Sequence, residues 1–172
     1  MPRFVALLGG VNVGGHRVTM DRLRAEVASL GFTQVRTFIA SGNVIFTAPD
    51  QGDHETVISA HLGAQLGWAV PTFVRPAEEV ITAAELRPFG TVPPGHIHMV
   101  AFCRTVPDPA VLSSLADPND LFQSSGRELH WLRGGGLTQS PITLTKLTRL
   151  IGPNTTRNAT TVTRLASLLR AD

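Results

Sequence analysis

The order in which hydrophobic periodicity switches along this chain constrains its fold more than any single motif does. Apolar side chains recur every second residue in a half-buried strand and about every 3.6 residues in a helix. Arg3–Leu8 is an apolar run of strand length. Thr19 stands as an N-cap before Met20, Leu23, Val27 and Leu30, which share one helical face until Gly31. Residues 34–39 alternate Val35, Thr37 and Ile39 against Arg36 and Phe38. Asn43–Thr47 alternates again beyond the Ser41-Gly42 turn, so the two segments predict a hairpin. Asp53 caps a helix through Ile58, Leu62 and Leu66 that Gly67 stops, and residues 70–75 make a fourth strand. The order is βαββαβ.

The same order is met again. A helix over residues 77–86 leads into Pro88-Phe89-Gly90-Thr91-Val92-Pro93-Pro94-Gly95, the best candidate boundary. Residues 96–104 read as a strand, and Asp108 and Pro109 cap and start a helix to Leu115. Residues 120–124 and Glu128–Arg133 form a hairpin about Ser125-Gly126. Gly134, Gly135 and Gly136 precede Ser140-Pro141, a cap and first-turn pair for a helix to about Leu150, which Gly152-Pro153 ends. Residues 155–157 are a short last strand and residues 159–169 a final helix. The expectation is an α+β protein of two tandem ferredoxin-like subdomains with antiparallel sheets, residues 1–87 and 96–172, joined by a linker over 88–95. Val5, Leu7, Leu23, Val27, Val35 and Leu62 are expected in one core, and Val100, Phe102, Leu112 and Leu165 in the other.

Composition excludes several classes. No apolar run approaches the roughly 18–20 residues of a membrane span, and the N-terminus has no signal-peptide pattern. The single cysteine, Cys103, rules out an internal disulfide. A soluble, cytoplasmic chain indifferent to reductant is expected, with no membrane partner. A net charge of +2 argues little for nucleic acid. Of 15 basic residues only Lys146 is lysine, leaving 14 arginines.

Three polar marks interrupt the pattern. The first, Gly9-Gly10-Val11-Asn12-Val13-Gly14-Gly15, is not a P-loop, because His16-Arg17 follows it, and it lacks the dinucleotide fingerprint. A glycine-rich loop before a helix can present N–H groups to an anion through Gly14 and Gly15. It is equally a tight connection in which Asn12 bonds its own backbone. The second mark, Ser41-Gly42-Asn43, is first a turn, with Ser41 and Asn43 able to bond a ligand. The third, Thr155-Thr156-Arg157-Asn158, joins Lys146 in a candidate anion site: a movable ammonium, a planar guanidinium, and neutral donors from Thr156 and Asn158. Lys146 and Arg157 are expected near one cleft; Asn158 is equally a cap for the last helix.

Other constellations are weaker. His96 and His98 share a strand face with His130 nearby, and three imidazoles can hold zinc, but a solvent-facing strand explains them as well. No metal and no cofactor are assigned. Cys103 reads as a small core residue. Binding of a small anionic ligand, a phosphate-bearing metabolite or nucleotide, therefore stands first. RNA binding on an open sheet face stands second, weakened by few aromatic stackers. A non-catalytic interaction module, such as a homodimer through a sheet face, is the default.

Gly10-Val11-Asn12-Val13-Gly14-Gly15, Ser41-Gly42-Asn43-Val44, Thr145-Lys146-Leu147-Thr148 and Thr156-Arg157-Asn158 occur in this order and spacing. Together they resemble the bacterial family catalogued as domain of unknown function 1697. The resemblance covers nearly the whole chain and implies two tandem ferredoxin-like subdomains. It implies no established activity, cofactor or catalytic residue. The chain departs from the family pattern at Gly9, Ala40 and Ala159, where relatives usually carry arginine, glutamine and an aromatic residue.

Overall fold

Each central strand is buried on both faces, and each sheet is built outward from it. The computed structural model describes residues 1–115, 117–135 and 142–171. The first unit, Met1–Val80, holds β1 (Arg3–Leu8), α1 (Met20–Ala28), β2 (Thr33–Phe38), β3 (Asn43–Thr47), α2 (His54–Leu66) and β4 (Thr72–Pro76). α3 (Ala77–Glu85) crosses into the second unit, Ile81–Asp172. There follow β5 (Ile97–Cys103), α4 (Pro109–Leu115), β6 (Asp120–Ser125), β7 (Glu128–Arg133), α5 (Leu144–Ile151), β8 (Asn154–Asn158) and α6 (Ala159–Arg170). The result is a mixed α/β chain with two four-stranded antiparallel sheets and, among the described residues, six helices. Strand order is β2-β3-β1-β4 in one sheet and β6-β7-β5-β8 in the other. The Pro/Gly stretch over 88–95 lies inside the second unit. Among the described residues no helix is long and apolar enough to cross a membrane.

Local chemistry starts the helices. Thr19 Oγ1 accepts from Arg22 N at 3.2 Å, and Asp53 Oδ1 from Thr56 N at 3.0 Å. Asp108 Oδ1 accepts from Ala110 N at 2.8 Å, ahead of Pro109. α5 begins later than expected: Thr143, not Ser140, is its N-cap, accepting from Lys146 N at 3.0 Å. Gly136 and the Ser140-Pro141 pair lie outside the described residues. β2 ends at Phe38, before Ile39 at a φ of 53°, and a similar φ of 50° at Gln34 accompanies the register shift inside the strand.

The pleat divides the cores more finely than expected. Phe4, Ala6 and Leu8 of β1 face α1 and α2, packing with Leu23, Val27, Ile58 and Leu62, while Val35 is half-buried at the margin. Val5 and Leu7 are fully buried but point to the other face of the same strand, so they do not share that core. On their face Val5 pairs across the ladder with Arg75, whose Nη1 lies 3.5 Å from Glu55 Oε2 and Nε 3.7 Å from Glu79 Oε2. In the second unit Ala101, Cys103, Leu129 and Trp131 pack with Leu112, Leu115, Leu147 and Ile151 of α4 and α5. Val100 and Phe102 turn the opposite way from Leu112, again because alternate residues change face. α6 packs on β5 and β8.

Candidate functional site

The first two polar marks meet at one end of the first sheet. Antiparallel register pairs Leu7 of β1 with Asn43 of β3, so the strand exit and the hairpin turn share an edge. Asn12 Nδ2 donates to Ala40 O at 3.0 Å, and its Oδ1 accepts from Val18 N at 2.9 Å, stapling the loop to the turn. Asn43 is buried, donating from Nδ2 to Phe38 O at 3.0 Å and to Ser41 Oγ at 3.1 Å. The backbone closes the junction through Leu8 N to Gly42 O, 2.8 Å. These amides are committed to holding the chain. Gly14 and Gly15 lie beyond, exposed, with φ of 60° and 88° and open space about their Cα atoms.

The third mark does not join Lys146. Arg157 pairs with Val100 across β5 and β8, so it points to the face opposite the one on which α5 packs. Lys146 stands exposed on α5. The Gly152 turn does bring the segments close in sequence, but the pleat sends the two cations to opposite sides of the sheet. Arg157 is buried, donating from Nη1 to Thr155 Oγ1 at 2.8 Å and to Thr156 O at 3.2 Å. Burial pushes its pKa down to about 10, which leaves it charged at neutral pH. Thr156 pairs with Ala101 on the α5 side, where its hydroxyl donates to Asn154 Oδ1 at 3.3 Å. Asn158 caps α6, its Oδ1 accepting from Thr160 N at 2.9 Å.

A cavity of about 470 Å³ opens beside that cap. Arg87, His96 and His98 line one side and Asn158, Thr160 and Thr163 the other, with no carboxylate among the lining residues. α6 has no acidic residue in its first turn, so its positive dipole end is uncompensated there. His98 is buried and forms part of a chain of rings. Its Nε2 lies 2.9 Å from His130 Nδ1, and the edge of Phe89 meets it at 5.4 Å. Burial, and then the charge of Arg87, lower the His98 pKa. His130 is fully enclosed; burial first, then His98, push its pKa down to about 4. Among the described residues its Nε2 has no hydrogen-bond partner.

A solvent-facing strand does not describe all three histidines: His98 and His130 are buried, whereas His96 is half-buried just before β5 begins. His98 and His130 point inward on adjacent strands, while His96 turns its Nδ1 to within 3.3 Å of Pro94 O. Among the described residues no group of three His, Cys, Asp or Glu is placed to hold a metal ion. Arg87 escaped sequence reasoning because it precedes the Pro/Gly stretch and belongs to no periodic segment. None of the eight phenylalanines is exposed, so base stacking on β5 and β8 would need α6 to move.

No curated protein matches this chain. The solved structure of conserved bacterial protein SP0830 from Streptococcus pneumoniae is similar over 99% of this chain and 99% of that chain. The two share 20% sequence identity and superpose with a TM-score of 0.76, a likeness of fold. Residues 1–130 match the family described as a protein of unknown function (DUF1697), and the chain belongs to that family.

Proposed function

We propose that this protein binds a small anion, a phosphate- or carboxylate-bearing metabolite, in the pocket at the start of α6. The observation that carries this reading is the meeting of Arg87, His98 and the uncompensated α6 N-terminus in one cavity without a carboxylate. Of the site residues expected from sequence, Asn158 is retained as a lining group, and Gly14 and Gly15 remain a separate, exposed loop. We also infer that each unit is a ferredoxin-like subdomain. Supporting this are two βαββαβ runs whose strand orders correspond, β2-β3-β1-β4 and β6-β7-β5-β8.

The test is calorimetry and thermal shift against inorganic phosphate, nucleotides and sugar phosphates. A charge-assisted hydrogen bond contributes roughly 1.5–3 kcal/mol, so Arg87→Ala, at an exposed position, is expected to weaken binding about tenfold or more. Lys146→Ala, on the other side of the sheet, should bind as wild type does. Absence of saturable binding by any of these anions, or equal loss in both variants, would overturn the assignment.

A further inference from the structure

We propose that an anion entering the α6 pocket is bound together with one proton, taken up from water by the His98–His130 pair. This rests on the anion-binding reading of the same pocket. Two neutral imidazoles joined by a single hydrogen bond, here 2.9 Å between His98 Nε2 and His130 Nδ1, share one proton on that line. That His130 Nε2 has no partner among the described residues decides which ring supplies it. A buried N–H without an acceptor is rarer than a buried acceptor without a donor. His130 therefore donates from Nδ1 and leaves Nε2 as a bare lone pair, and His98 carries its own proton on Nδ1.

That arrangement is a two-step relay. A proton added at His130 Nε2, with transfer of the shared proton across the bond to His98 Nε2, makes His98 the imidazolium and leaves His130 neutral with an enclosed Nε2–H, a cost that the seated anion offsets. The charge arrives on the ring that lines the pocket. In the empty pocket burial and the Arg87 guanidinium oppose this charge. A seated anion reverses the second effect, because it neutralises Arg87 and attracts the imidazolium. The other charged or titratable groups on this side are His96, just before β5, Glu128 two residues before His130 on β7, and Arg157 on β8. α6 turns threonines, Thr160 and Thr163, to the cavity.

Sulfate isolates the effect, since its own charge is constant over the relevant range. Calorimetry of the full chain with sodium sulfate, in buffers of different ionisation heat, reads the protons taken up per ion bound. We expect net uptake, and binding several-fold tighter near about pH 5.5 than near about pH 8, since each unit by which the anion raises the pair's pKa strengthens binding by at most about tenfold, reached only well below the free pair's pKa. In wild type, NMR titration should show the ring signals of His98 and His130 moving to higher pKa when sulfate is added. His98→Gln, which removes the ring that takes the charge, should bind sulfate without proton uptake; if that variant does not fold, the wild-type NMR titration decides. Saturable sulfate binding with no uptake and unmoved ring signals would overturn the coupling and leave the pocket standing. Failure of wild type to bind sulfate or phosphate at all would overturn both.

Discussion

A methyl group at Gly42 would have no space to occupy. The residue has a φ of 84°, and an added Cβ would fall 2.4 Å from Val11 Cγ2 and 3.1 Å from Leu8 Cβ. Gly42→Ala is therefore expected to destabilise by about 2–4 kcal/mol, combining a left-handed backbone penalty with overpacking. Urea unfolding checks this, and a loss below about 0.5 kcal/mol, the scale of an ordinary surface change, would contradict it. By contrast Gly14 and Gly15, which stand out more in the sequence, meet nothing. Glycine density marks where a chain can bend, but only tertiary packing shows where a side chain cannot fit. Ile39 makes the same point from the other side. It continues the period-two alternation on paper, yet it lies just beyond the end of β2, at a φ of 53°.

At the scale of elements, helix starts were the most legible feature, because a cap acts within about three residues of itself. Thr19, Asp53, Asp108 and Asn158 all act as their residue types suggest. Ser140-Pro141 is the stronger local signal for the start of α5, yet Thr143 is the residue whose hydroxyl meets a first-turn N–H, that of Lys146. For α6, Asn158→Ala should lower stability by about 1 kcal/mol and Asn158→Gly by only a few tenths. Denaturation of the two variants side by side checks this; equal losses would mean that the Asn158 side chain does not serve chiefly as a cap. Strands were legible in place and order but not in facing. Val5 and Leu7 were grouped with Leu23, although the pleat sends them to the other side.

For the molecule as a whole, the buried histidine pair ties stability to pH. The ordinary His pKa is 6.5, and His130 is pushed down to about 4. Above the ordinary value neither folded nor unfolded chain holds this proton. Between the two values the unfolded chain takes it up and the folded one does not, so stability falls as pH drops through that window. Below the folded value the loss is complete. At about pH 5 the loss should be about 2 kcal/mol relative to about pH 7.5. Urea midpoints of wild type and His130→Gln over this range isolate the term, and parallel curves would refute it. Sequence alone determined the succession of strands and helices, the twofold βαββαβ order, most of the caps and the family. Those features depend on neighbours a few residues apart, which the chain spells out. The tertiary structure alone decided that His98 meets His130, that Arg87 reaches the start of α6, and that Lys146 and Arg157 part company. Such meetings depend on ladder register and on the face each residue takes, and a shift of one position in either would undo them all.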